Sequence, residues 1–330
     1  MPSVTLPTLN DIYRAKKTIA AFLPRTPLHH SPGLSQLFDA QVYLKHDEYL
    51  PLGAFKARGG INLLANLSKE ERERGLITAS TGNHGQSIAF ACRAFGARAL
   101  IVLPENANPL KVAAMEALGA ELVYHGENFD QAKEHCERLA SEEGYRYVHP
   151  ADEPLLIAGV ATQTLEVMED LPDVEVIFMP LGGGSSAAGA CLAAKGVNPE
   201  VRVVAVQAEA APGGYRSWKQ GSLVQAPMDT FAEGLATANG YELPQRILRE
   251  LLDDFVLVSE DELRYAIGLL IEKAHTLAEG AGAAATAGAL KSKESIRGKK
   301  VAITISGANI TLNQLTDAVK VYQSSQGEVR

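Results

Sequence analysis

The chain has 330 residues, 46% of them hydrophobic and 21% charged, with a formal net charge of -8 at pH 7. That length admits one large domain or two ordinary ones, and the acidic balance excludes the basic face expected of a nucleic-acid binder. No apolar run approaches the roughly 18–20 residues that span a bilayer, and residues 1–17 lack the charged-then-apolar pattern of a signal peptide, so a cytoplasmic protein without a membrane partner is expected.

Short β-branched runs alternate with helical spacing along the chain, the signature of parallel α/β sheets. In order, strands are expected at 41–45, 99–103, 120–124, 174–179, 201–206 and 300–305. Helices are expected at 109–118, 130–143 and 260–272, with a closing helix over 312–322. The first of these is entered through Asn108-Pro109, proline being suited to a first helical turn. VRVVAV and VAITI are apolar throughout most of their length, which places them in sheets covered on both faces. A break near His149-Pro150-Ala151-Asp152 divides the rhythm: residues 50–147 are expected to form a small domain, and 1–49 with 148–330 a larger, discontinuous one.

Cys92, Cys136 and Cys191 have no metal-ligand spacing, and the eight histidines contain no HExxH and no paired His/Cys cluster. No metal site is expected. Cys92 and Cys191 lie in apolar surroundings and read as small core residues.

Four stretches carry chemistry. In PLGAFKARGG (51–60), Lys56 sits between Phe55 and Arg58, where a solvent-facing lysine is the ordinary reading. In TASTGNHGQ (78–86), Ser80, Thr81, Gly82, Asn83 and His84 read as a strand-to-helix turn whose amides face an anion. An ordinary N-cap by Ser80 or Thr81 is the alternative. In PLGGGSSAAG (180–189), Gly182, Gly183 and Gly184 allow close backbone approach, and Ser185 and Ser186 add hydroxyls at a helix start. This is a phosphate cradle without the Gly-Lys-Ser/Thr of a P-loop. Its loose GxGxxA keeps a dinucleotide site open, with Gln207 and Glu209 near where a ribose ligand falls. Finally, VAITISGANITL (301–312) brings Ser306 and Asn309 to the C-terminal end of a buried strand, either as ligand groups or as turn formers.

Together these stretches ask for a phosphorylated, planar cofactor with an aldehyde for a lysine to hold, and pyridoxal 5'-phosphate is that molecule. The chain resembles the fold-type II pyridoxal-phosphate enzymes, and within them the threonine/serine dehydratase and serine racemase group. The resemblance runs from Arg25-Thr26-Pro27-Leu28 through Lys45, the FK-x-RG block, the SxGNHGQ turn and the GGG loop to Glu279-Gly280-Ala281-Gly282-Ala283 and SGAN. It implies a tryptophan synthase β-like fold: two open parallel-sheet α/β domains with the cofactor in the cleft between them, in a homodimer.

The resemblance further implies that Lys56 forms the Schiff base, that Phe55 packs beside the cofactor and that Asn83 bonds the ring's phenolic oxygen. Gly182, Gly183, Gly184, Ser185 and Ser186 would hold the phosphate, and Ser306 would face the ring nitrogen. Ser80 to His84 would receive the substrate carboxylate, and Ala236 with Thr237 in AEGLATANG (232–240) would set the size of the pocket. The implied reaction is β-elimination from an L-β-hydroxy amino acid such as threonine or serine, giving a 2-oxo acid and ammonia. A hydroxyl at Ser306 holds the ring nitrogen protonated less firmly than a carboxylate, which favours loss of a β-substituent over transamination.

Several positions depart from the family pattern. Pro-Thr-Gly-Ser-Phe-Lys reads here Pro51-Leu52-Gly53-Ala54-Phe55-Lys56, so two hydroxyls become apolar, either at the substrate wall or at purely structural positions. Serine racemases place a serine hydroxyl opposite the lysine, and Thr81 occupies that position, which keeps a racemase using Lys56 and Thr81 on opposite faces as the alternative. Metal-binding members carry acidic ligands where this chain has Gln207, Ala211 and Gly213, with Glu209 out of register. The short stretch after the last motif points to a catabolic or specialised enzyme without an isoleucine-responsive regulatory domain.

Overall fold

Ten short runs pair into two sheets in the computed structural model, which describes residues 5–105, 107 and 109–327. The strands are β1 (Leu28–His30), β2 (Gln41–His46), β3 (Leu76–Ala79), β4 (Ala99–Leu103), β5 (Glu121–Tyr124), β6 (Arg146–Tyr147), β7 (Val176–Pro180), β8 (Arg202–Ala208), β9 (Asp254–Val258) and β10 (Lys300–Ile305). One sheet is six-stranded in the order β1-β2-β10-β7-β8-β9, and the other is four-stranded in the order β5-β4-β3-β6. Every pairing is parallel except β1 with β2. β10 is central in the first sheet, in register with β2 from Lys300↔Gln41 to Ile305↔His46 and with β7 from Val301↔Val176 to Ile303↔Phe178.

The apolar runs are continuous because both faces of each sheet are covered. In β7, Val176 and Phe178 point into one core with Val204, Val301 and Ile303, beneath the helix Gly280–Lys291. Ile177 and Met179 point the other way, into a core with Val203, Ala205 and the helix Ser185–Val197. The small-residue run GAGAAATAGALK lets its helix lie close on the sheet: a Cβ on Gly288 would fall 2.4 Å from Val206 Cγ2. The four-stranded sheet is built alike. Ile101 and Leu103 face the helix Asn83–Phe95, while Leu100 and Val102 face Ala132 and Cys136 of the helix Phe129–Glu143. That last helix starts where Asn128 accepts the Gln131 amide and stops at Gly144, whose φ is +78°.

The expected strands 99–103 and 300–305 match in full, and the others shift by one or two residues. Val174 falls in the turn before β7 rather than in the strand, its amide donating to Leu171 O. The helix expected at 109–118 spans Pro109–Ala117; Asn108 lies outside the described residues. The closing helix is longer than expected, Leu312–Gly327. All three cysteines are buried and unbridged. No helix among the described residues is long and apolar enough to cross a membrane.

Candidate active site

Open parallel sheets present ligand sites at the C-terminal ends of their strands. Here the ends of β3, β7 and β10 converge with the segment after β2 around a cleft of about 330 Å³. Its lining includes Phe55, Lys56, Ser80, Thr81, Gly82, Asn83, His84, Gly182, Gly183, Gly184, Ser185, Ser186, Ala236 and Ser306, so each site residue expected from the sequence reaches it. Leu52 and Ala54 are buried and are not among the lining residues, which makes the two lost hydroxyls structural positions.

Lys56 opens the helix Lys56–Asn66 and is placed by two contacts. The segment before it pairs with the exit from β10: Phe55 N donates to Ser306 O at 3.0 Å and Ala308 N to Gly53 O at 2.9 Å. Gly53, at φ +62°, turns the chain for this pairing, and Asn309 Oδ1 would lie 2.9 Å from a Cβ there. Two residues on, Arg58 is fully buried and donates to both carboxylate oxygens of Asp47 and both of Glu166. Lys45 donates to the same Glu166 and to Thr26 O, so two cations and two anions close a neutral buried quartet that fixes the first turn of the lysine helix. Burial lowers the Lys56 amine to a pKa of about 8. Its Nζ lies 3.3 Å from Ser185 Oγ.

The glycine loop after β7 leads into the helix Ser185–Val197 with no side chain capping it. Gly184 has φ +91° and Gly182 is packed so closely that a Cβ would meet Gly234 O at 2.1 Å. Bare amides at a helix N-terminus, beside a lysine and a serine hydroxyl, suit a phosphate. Ser186 differs from the expectation in one respect: its hydroxyl donates to Pro180 O at 3.1 Å, so its proton points away from that cradle.

The turn after β3 is the expected strand-to-helix turn, but neither Ser80 nor Thr81 is its N-cap, which is Gly82. Ser80 Oγ accepts the Gly82 and Gly85 amides, tying down the start of the helix Asn83–Phe95 from two residues before its N-cap. His84 is buried with Nε2 3.0 Å from Thr78 Oγ1, and burial together with nearby Lys56 lowers its pKa to about 3. It is neutral, and its side chain is committed to β3. Asn83 is clamped: Nδ2 donates to Glu279 Oε1, and Oδ1 accepts from Asn309 Nδ2, both at 2.8 Å. Burial raises the Glu279 carboxyl, against the pull of Lys111 and Asn83.

Glu279, Lys111 and Glu233 line the cleft and were not singled out from the sequence. Glu279 lay within the quoted EGAGA, but nothing local tied it to Asn83. Gln207 and Glu209, the ribose-ligand positions, do neither job in the cleft: Gln207 Oε1 accepts the Tyr215 amide, and Glu209 pairs with Lys291. Among the described residues no three His, Cys, Asp or Glu side chains group as metal ligands.

A half-buried lysine of lowered pKa, facing a bare helix N-terminus across parallel strand ends, defines an α/β enzyme that uses a phosphorylated carbonyl cofactor. Comparison with known proteins names the group. Residues 19–307 match the family described as pyridoxal-phosphate dependent enzyme, and the chain belongs to it. It is 41% identical to the L-threonine ammonia-lyase of Thermotoga maritima, over 93% of this chain and 77% of that protein. It superposes on the processed form of threonine deaminase isoform 2 from Solanum lycopersicum with a TM-score of 0.89, at 31% identity, covering 97% and 95% of the two chains. Serine racemase from Dictyostelium discoideum gives 0.87 at 33% identity, covering 92% and 99%. The cofactor is therefore pyridoxal phosphate, and the cradle, lysine and strand-end serine fit it.

Proposed function

We propose that the chain is an L-β-hydroxy amino acid ammonia-lyase, acting on threonine or serine. The observation that carries this reading is the placement of the Lys56 amine between the Ser185 helix start and the Phe55–Ser306 pairing, supported by the ammonia-lyase and deaminase relatives. Pyridoxal phosphate, when bound, supplies a conjugated sink for charge developing at the substrate Cα.

Each residue then has a defined task. The amides after Gly182 and the Ser185 hydroxyl would hold the phosphate, and Ser306 would face the ring nitrogen. The turn carrying Thr81 and Gly82 receives the substrate carboxylate, using the backbone of His84 rather than its ring. Lys56 takes the Cα proton; a pKa of about 8 leaves a useful neutral fraction near physiological pH. Asn83, fixed by Glu279 and Asn309, has one amide hydrogen left, with which it would hold the ring. The β-hydroxyl departs with a proton as water, one water is later taken up, and the net change is amino acid to 2-oxo acid plus ammonia.

The same reading divides the chain into residues 1–49 with 148–330 and residues 50–147, supported by the six-stranded sheet drawing on the first set and the four-stranded sheet on the second. It takes the working form as a cytoplasmic homodimer.

The test is release of oxo acid and ammonia from L- and D-threonine and serine, with chiral analysis of unreacted substrate. Stoichiometric oxo acid from an L-substrate is expected. Inverted substrate without oxo acid would replace this reading with a racemase in which Thr81 is the second acid–base group.

A further inference from the structure

Apart from Lys56, the one cation lining the cleft among the described residues is Lys111, and it is not free. Its Nζ pairs with Glu233 across the mouth. The two belong to different walls: Lys111 lies on the helix Pro109–Ala117 that follows β4, whereas Glu233 opens the turn Glu233–Leu235 over the other sheet. The turn is itself anchored, with Gly234 O packed on Gly182 and the Ala236 amide donating to Glu233 O. Ala236 and Thr237, next along, line the part of the cleft assigned above to the substrate side chain. Lys111 is the buried partner, its side chain 14% exposed against 45% for Glu233. An ammonium so placed needs an anion beside it, because desolvating an unpaired charge is costly.

We propose that Glu233 sets the charge selectivity of the side-chain end: by neutralising Lys111 it reserves the site for uncharged β-hydroxy amino acids. Without that partner, Lys111 binds the second carboxylate of an acidic β-hydroxy amino acid. This inference rests on the β-hydroxy amino acid reading above. Glu279 is the other acid that Lys111 feels, but its Oε1 is engaged by Asn83 and burial raises its pKa, so it offers Lys111 less negative charge than Glu233 does. Elimination from such a substrate balances as before, 3-hydroxyaspartate giving oxaloacetate and ammonia with one water lost and one regained.

The test uses the cofactor-loaded protein and compares wild type, Glu233→Gln and the Lys111→Met/Glu233→Gln double variant. Two ratios are read: kcat/KM for 3-hydroxyaspartate against threonine, and inhibition by malate against 2-hydroxybutyrate, which lack the amine and cannot react. Glu233→Gln is expected to move both ratios at least tenfold toward the dicarboxylate, equivalent to about 1.4 kcal/mol, and the double variant to abolish the gain. Ratios within twofold of wild type, or a gain that survives loss of Lys111, overturn the proposal. A wild type that releases no oxo acid from any β-hydroxy amino acid sinks the lyase reading instead; the inhibition ratio then still decides whether Glu233 masks Lys111.

Discussion

Asn83 and Glu279 meet across the cleft from the N-termini of two helices, the amide Nδ2 of one donating to the carboxyl Oε1 of the other at 2.8 Å. Asn309 holds the opposite end of the same amide. The orientation of Asn83 is thus decided by the ends of β3 and β10 together with the start of the helix Gly280–Lys291, and an amide so preset would lose less freedom when the cofactor arrives.

Removing the carboxyl leaves Asn83 with an unmet donor. Glu279→Ala is expected to cost about 1–3 kcal/mol, and Glu279→Gln, which keeps an acceptor oxygen, clearly less. Because burial raises the Glu279 pKa above 4.5, the folded state binds more protons there than the unfolded state. Its contribution is full below 4.5 and declines as pH rises through the raised value. Urea unfolding of wild type, Glu279→Ala and Glu279→Gln across pH 4 to 8 checks both statements; equal stability of the two variants counts against the first, and equal pH slopes of wild type and Glu279→Gln against the second.

Lys56 gives the opposite sign. Between about 8 and 10.5 the unfolded chain binds the extra proton, so stability rises with pH across that window relative to Lys56→Met. Denaturation of the cofactor-free proteins measures this difference. Lys56→Ala is expected to release no ammonia from any substrate, and full activity would remove the lysine from the mechanism.

The buried quartet predicts a large effect away from the cofactor. Arg58→Met strands Asp47 and Glu166 with Lys45 alone and is expected to destabilise by about 3–5 kcal/mol. Arg58→Lys should recover little, since an ammonium cannot reach both carboxylates bidentately. A loss under 1 kcal/mol in thermal or urea unfolding would show the quartet to be dispensable.

The glycine loop proposed to hold the phosphate is packed too closely for added methyl groups. Gly184→Ala forces a side chain onto φ +91° with its Cβ 2.9 Å from Pro244 Cβ. Cofactor affinity is expected to fall at least tenfold by equilibrium dialysis. Undiminished affinity would place the phosphate elsewhere.

The strands that were legible in the sequence are the long apolar ones, because burial on both faces leaves a run that needs no partner to be recognised; 99–103 and 300–305 are of this kind. β1 and β6, of three and two residues, exist only through pairing with β2 and β3, and so short a run has no period to read. The site was legible where backbone demands restrict the residue type, as at Gly182 and Gly184. It was not legible where two unremarkable charged residues meet at long range. Lys111 and Glu233 are 122 positions apart, and nothing in either neighbourhood marks the other. Ser186 was missed for a local reason instead: its hydroxyl looked available until the turn placed Pro180 O, six residues back, behind it.

β10 lies between β2 and β7, and the β1–β2 ribbon joins the rest of its sheet through no other strand. On the ribosome, residues 28–46 therefore wait for residues 300–305 before they find their neighbour, through the synthesis of roughly three-quarters of the chain. The Lys56 helix is tied to the exit from that same late strand. Order of synthesis thus guards reactivity: a nascent chain that has not delivered its last strand has a lysine but no seat for it, and the aldehyde cofactor finds a finished pocket only in a finished fold.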